Sequence, residues 1–203
     1  MRRAPVPTTG ELTTSMLNLG REPRWRPIGR AGRSLPPDLA CWLTATESLT
    51  QRLQRICARD FAVELLGQAW CRPLPGERVA LGMQQRAWAL VRQVYLCCGT
   101  RPLVYARTVI PRATLRGRRR RYGWLGERPL GEVLFAAADV ERSPLEVAML
   151  TPDDYLHRAA TRGTRPGDAV FWARRSVLRV EGYPLLVSEI FMPAIATIGR
   201  NPG

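Results

Sequence analysis

Arg92, Arg107 and Glu189 are charged side chains on apolar ground. Read as strands, 92–98, 102–110 and 185–191 place Arg92 beside Val94, Leu96 and Cys98, Arg107 beside Leu103, Tyr105 and Val109, and Glu189 beside Leu185, Val187 and Phe191, because side chains two apart share a face. Two guanidiniums and one carboxylate around a closed pocket would hold a small anionic ligand, since the planar fork of arginine grips a carboxylate with two hydrogen bonds. The plain alternative is that two of the three pair as a buried salt bridge, or that a bulge turns one of them to water.

The rest of the chemical inventory is short. All 31 basic side chains are arginine, so amine chemistry, a Schiff base or a lysine phosphate loop among them, is excluded. His157 is the only histidine, which speaks against a histidine triad or a multi-histidine metal site. No cofactor and no metal are expected. The five cysteines (Cys41, Cys57, Cys71, Cys97, Cys98) lack any C-x-x-C spacing and are read as reduced, buried, small apolar groups of a cytosolic protein. No apolar run is long enough to span a membrane, and no apolar stretch follows Arg2 and Arg3 as a secretory signal requires. A cytoplasmic monomer is expected.

The formal charge is +14, which puts an anionic polymer among the possible partners. Ten of those charges come from two segments: 1–40 holds seven arginines and three acids, and 112–128 holds seven arginines and one acid. The run Arg116, Arg118, Arg119, Arg120, Arg121 reads as a solvated loop, because no nucleic-acid recognition motif accompanies it.

Helices and strands must position the three charges. Residues 1–35, rich in Pro, Gly, Arg and Thr, read as a flexible arm, 36–193 as one folded domain and 194–203 as a tail. Asp38 is a possible cap for a helix carrying Trp42, Leu49, Leu53 and Ile56 that breaks near Thr46, and Ser48-Leu49-Thr50-Gln51 fits a capping box. Pro129 opens a short helix to Ala138. The backbone N–H groups of Leu49 and Leu130 then fall in first turns, where no intrahelical acceptor exists and an anion can bind. Strands are read at 61–70, 92–98 and 102–110, the last two joined by Gly99-Thr100-Arg101, and a second hairpin turns at Gly182-Tyr183 between 173–181 and 185–191. Residues 150–168 read as an irregular excursion. Two hairpins and scattered helices make an α+β fold with an antiparallel sheet.

Three segments resemble bacterial chorismate pyruvate-lyase: RQVYLCCGTRPLVYARTVIP from Arg92, RPLGEVLF from Arg128 and RRSVLRVEGYPLLVSEIFMP from Arg174. The similarity runs in order from about Trp42 to Pro193. It implies a cofactor-free lyase that converts chorismate to 4-hydroxybenzoate and pyruvate, supplying the ubiquinone ring, on a six-stranded antiparallel sheet with helices packed on one face. It also implies a product site enclosed under helical flaps. Carried onto this chain, the carboxylate-binding arginine is Arg92, the second essential arginine Arg107, and the acid facing the product hydroxyl Glu189; the two amide donors to the ring carboxylate are Leu49 and Leu130.

Chorismate has two carboxylates, and two arginines would fix both ends of it. Arg92 with the two amides would take the ring carboxylate, Arg107 the enolpyruvyl carboxylate or the ether oxygen, and Glu189 the C4 hydroxyl. Removing Arg107 would then slow turnover by about 10². Two other readings stand beside this one: a non-catalytic binder of aromatic acids, and a basic nucleic-acid-binding protein.

Overall fold

The computed structural model describes residues 20–31, 34–135, 139–162 and 169–198. One sheet of eight strands holds the fold: β1 (Arg26–Pro27), β2 (Phe61–Cys71), β3 (Ala89–Cys98), β4 (Arg101–Pro111), β5 (Val140–Arg142), β6 (Glu146–Leu150), β7 (Phe171–Val180) and β8 (Tyr183–Phe191). Every pairing is antiparallel, in the order β1-β6-β7-β8-β4-β3-β2, with β5 beside β6 on the same edge of β7. The expected count of six corresponds to the longer strands. β1 and β5 have two and three residues, too few to show a period of two.

Both expected hairpins form. The β3–β4 turn uses Gly99 at φ 60°, and the β7–β8 turn uses Glu181 and Gly182, both at positive φ, as a two-residue turn that matches strand twist requires. The described residues also hold seven short α-helices: α1 (Ile28–Ala31), α2 (Pro37–Leu43), α3 (Leu49–Cys57), α4 (Pro75–Ala80), α5 (Leu130–Phe135), α6 (Tyr155–Ala160) and α7 (Ile195–Ile198). The helix start at Ser48 is as expected, with Ser48 Oγ accepting from Gln51 N–H. Pro36 rather than Asp38 precedes α2, and Asp38 sits in its first turn.

Helices cover both faces of the sheet, not one. On the first face Trp42 and Leu43 of α2 and Leu49 and Leu53 of α3 pack over Val94, Leu96, Val104 and Phe191, and Leu134 of α5 over Leu90, Ile110, Leu178 and Leu185. On the other, Leu156, Ala159 and Ala160 of α6 cover Tyr105, Ala173 and Ile190, while Leu81 after α4 covers Val91, Val109 and Leu186. Because both faces are covered, the two central strands are buried almost throughout, and alternation of apolar and polar residues is lost in β4.

The segment read as a loose arm divides. Residues 1–19 lie outside the described residues, but from Gly20 the chain is tied down: Arg21 exchanges backbone hydrogen bonds with Asp153 and Tyr155, β1 pairs with β6, and Trp25 packs on the second face under the Arg175 guanidinium. The 150–168 excursion contains the end of β6 and all of α6; residues 163–168 lie outside the described residues. Of the tail, Ile195 is buried within α7.

The cysteine reading needs correction. Cys57, ending α3, and Cys98, ending β3, form a disulfide with Cα atoms 5.5 Å apart, while Cys41, Cys71 and Cys97 are free. The partners are 41 residues apart, and only the docking of α3 on the sheet brings them together. The arginine run forms a 3-10 helix, Gly117–Gly123, with Arg116, Arg118, Arg120 and Arg121 exposed; Arg119 turns inward to the Thr114 carbonyl, Glu181 and the Tyr183 ring. No helix among the described residues is long and apolar enough to cross a membrane.

Candidate active site

A cavity of about 60 Å³ lies between the first face of the sheet and the starts of α3 and α5. A water needs at least roughly 10–15 Å³ by this measure, so the space has room for several waters. Its floor is sheet: Arg92 and Val94 of β3, Ala106 and Thr108 of β4, and Val187 and Glu189 of β8. Its roof is the two helix starts, Ser48-Leu49-Thr50 and Pro129-Leu130-Gly131.

The roof is tight for a reason visible in one residue. A Cβ on Gly131 would stand 3.1 Å from both Ser48 Oγ and Thr50 Oγ1, so glycine lets the two helix starts abut. Gln54 Nε2 donates to Glu132 Oε1 at 2.5 Å and ties the same two helices a turn further on. Leu49 and Leu130 are the first residues of α3 and α5, and their N–H groups have no intrahelical acceptor.

Arg92 is buried and has no carboxylate partner among the described residues. Its Nη2 donates to the carbonyls of Gly126 and Arg128 at 2.8 and 2.9 Å, and its Nε is buried without a partner. Burial pushes its pKa down to about 10. A buried cation with a donor to spare has the chemistry to take an anion.

Glu189 stands on the same floor, held from the side. Arg174, fully buried on β7 opposite it, donates from Nε to Glu189 Oε2 at 2.5 Å and from Nη1 to the carbonyls of Trp42 and Ala45. One guanidinium therefore fixes both the carboxylate and the loop leading to α3. The strand pattern alone leaves Arg174 unremarked, although it too is a charge on an apolar strand.

Arg107 does not join them. The register pairs Arg92 with Thr108, and Arg107 with Gln93 and Ser188, so Arg107 points to the opposite face of the sheet. There its Nε and Nη2 hold Glu77 Oε1 and Oε2 at 2.7 and 3.1 Å, and Glu77 Oε2 also accepts from Leu74 N–H. Both side chains are at least 95% buried. Burial works to lower the Arg107 pKa, but the Glu77 carboxylate outweighs it and the net shift is upward. The expected convergence of all three charges thus fails at Arg107, which forms a buried ion pair with an acid from α4 instead.

The cause is a single extra residue. Near the turn, Cys98 pairs with Arg101 and Cys97 with Pro102; from Leu96 onward the partner is shifted, Leu96 with Val104, leaving Leu103 as a bulge. Continued unbroken, the register at the turn would have set Arg92 directly opposite Arg107 on one face. A slip of one residue sends the whole remainder of the strand to the other face.

A different arginine occupies the cavity wall. Arg142, closing the three-residue strand β5, lines the space together with Arg92 and Glu189, and its Nη1 is buried without a partner. Burial lowers its pKa, opposed by Glu189 and reinforced by Arg174. Among the described residues, no group of three His, Cys, Asp or Glu side chains is placed to hold a metal ion.

Comparison with known proteins agrees with the sequence resemblance. The family model of chorismate lyase matches residues 25–199. A probable chorismate pyruvate-lyase of Halorhodospira halophila is 44% identical over 170 residues, covering 83% of this chain and 89% of its own. One from Methylococcus capsulatus is 40% identical over 160 residues, covering 79% and 98%. Among solved structures, PhnF from Mycobacterium smegmatis shares the fold at a TM-score of 0.52 and 11% identity, over 74% of this chain and 65% of that one. With four fifths of the chain matched at such identities, and with the matched segments forming the floor and roof of one cavity, the chain belongs to the chorismate lyase family.

Proposed function

We propose that this chain is a chorismate pyruvate-lyase whose reaction takes place in the cavity between α3, α5 and the sheet, yielding 4-hydroxybenzoate for ubiquinone synthesis. The observation that carries the reading is the meeting of Arg92, Glu189 and the two helix starts at Leu49 and Leu130 around one space.

The ring carboxylate of the substrate sits on Arg92 Nε, with the N–H groups of Leu49 and Leu130 donating from the roof. Arg92 gains the anion that its burial lacks, so binding removes part of an electrostatic cost already present in the empty protein. At the other end of the ring the C4 hydroxyl donates to Glu189, whose carboxylate is oriented by Arg174. The reaction breaks the bond between C3 and the ether oxygen. The electron pair goes to the leaving enolate, the hydrogen at C4 departs and the ring becomes aromatic; the enolpyruvate takes up a proton at its methylene carbon and becomes pyruvate. Donors that meet the developing enolate charge lower this barrier. Arg107, on the far face, acts on none of these atoms: it fixes β4, whose Ala106 and Thr108 form part of the floor.

The roof encloses the product, and the abutting helix starts must part to release it, so release limits turnover. The test is to incubate purified protein with chorismate and follow 4-hydroxybenzoate and pyruvate. Equimolar formation of both is expected, with a burst of one product equivalent per chain before the steady state. Binding of 4-hydroxybenzoate with no turnover of chorismate would instead make the chain a non-catalytic binder.

A further inference from the structure

We propose that Arg142 binds the second carboxylate of the substrate, the one on the enolpyruvyl arm, and so takes the place that the sequence resemblance leads one to give Arg107. The inference rests on the lyase reading and assigns the part of the substrate that the reading leaves without a partner.

Three observations carry it. The first is position: Arg142 pairs across the sheet with Leu178, and both line the cavity on the side where β5 and β7 bound it. The second is lack of a partner. Arg92 and Arg174 each keep one buried nitrogen without a partner but donate from others, Arg92 to two carbonyls and Arg174 to Glu189 and two carbonyls, and Arg107 is held by Glu77, whereas Arg142 Nη1 is buried without a partner and no other nitrogen of that guanidinium is held by a side-chain hydrogen bond or ion pair among the described residues. A guanidinium nitrogen withdrawn from water without an acceptor costs free energy in the empty protein, and an entering carboxylate removes that cost.

The third is charge balance. Around the cavity stand three guanidiniums, Arg92, Arg142 and Arg174, and one carboxylate, Glu189. Arg174 neutralises Glu189, which leaves two positive charges facing the space. Chorismate carries two negative charges and matches them; each product carries one. After the ether bond breaks, the aromatic acid stays on Arg92 and pyruvate stays on Arg142.

Arg142 is also placed for departure. Together with Leu134 and Leu178 it lies on the wall shared by the cavity and an outer groove lined by Ile28, Thr46 and Pro144. Swinging the guanidinium along that wall would carry pyruvate outward while the ring remains under the roof, so pyruvate leaves first.

The experiment compares Arg142→Gln and Arg142→Lys with the wild type on chorismate and on 4-hydroxybenzoate. Gln is expected to lower kcat/KM for chorismate by about 10² or more, with a raised KM, and to leave the Kd for 4-hydroxybenzoate within threefold, because the product lacks the second carboxylate. Lys keeps the charge without the fork and is expected to recover part of the loss. Equal weakening of chorismate and 4-hydroxybenzoate would show a general disturbance of the cavity and overturn the assignment. So would unchanged kcat/KM in Arg142→Gln beside an active wild type, which leaves the lyase reading intact. A wild type that does not turn over chorismate would remove both.

Discussion

Arg92→Met tests the site through a contrast between affinity and stability. The substitution keeps a long unbranched side chain and removes the charge. In the folded protein the Arg92 pKa lies at about 10 against an ordinary 12.5, a difference worth about 3 kcal/mol. Since the group is a base with a lowered folded-state value, the cost is present at every pH below about 10 and fades as the pH rises towards 12.5, where the unfolded chain also loses the proton. Removing the charge removes this cost and forfeits two hydrogen bonds to carbonyls, at about 1 kcal/mol each. Urea unfolding at pH 7.5 is therefore expected to show Arg92→Met within about 1 kcal/mol of the wild type or above it. Affinity should move the other way. A carboxylate held by a buried guanidinium contributes about 3 kcal/mol, so calorimetry should show the Kd for 4-hydroxybenzoate raised about 150-fold. In the wild type, the affinity for benzoate, which has no second titrating group in this range, should be flat up to about pH 10 and fall about tenfold per pH unit above it. A Kd within threefold of the wild type, or a stability loss above about 3 kcal/mol, would refute the assignment of Arg92 as the anion receptor.

The opposite pattern is expected at Arg107. Arg107→Met strands Glu77 as a buried, unpaired carboxylate and should lower unfolding stability by about 3–5 kcal/mol, while Arg107→Met with Glu77→Leu should recover most of it; a stable single variant that cannot turn over chorismate would return Arg107 to the chemistry. Glu189→Gln keeps a hydrogen bond and loses the charge beside Arg174, so a fall in kcat well beyond any change in 4-hydroxybenzoate affinity would make the charge part of the chemical step; unchanged kcat would leave Glu189 an orienting group only. Reducing the Cys57–Cys98 disulfide should lower stability by about 4 kcal/mol for its 41-residue separation, read from urea unfolding with and without reductant, and a change below about 1 kcal/mol would show that the bond contributes little.

Much of this protein is legible in its sequence because the signals are local. The β3–β4 and β7–β8 hairpins announce themselves through glycine turns between apolar runs, and Ser48 and Pro129 mark the two helix starts that roof the cavity. The α+β class, the floor residues Arg92 and Glu189, and the roof residues Leu49 and Leu130 all follow from patterns within ten residues of one another.

What the sequence could not decide is which faces of different strands are the same face. Alternation orders the side chains within a strand, but comparison between strands needs the register, and in β4 the register depends on whether Leu103 is paired or bulged. That one residue separates Arg107 from Arg92 by the thickness of the sheet and sends it to Glu77, a partner 30 positions away in the chain. Arg142 was hidden for a related reason: a strand of three residues has no period, and its place on the cavity wall exists only because β5 docks on the end of β7. Residue types and local spacing settle what kind of chemistry this chain can do, since those are properties of short segments. Which charges meet is a property of strand pairing over long distances, and there a single slip exchanges the cavity side of the sheet for the opposite one.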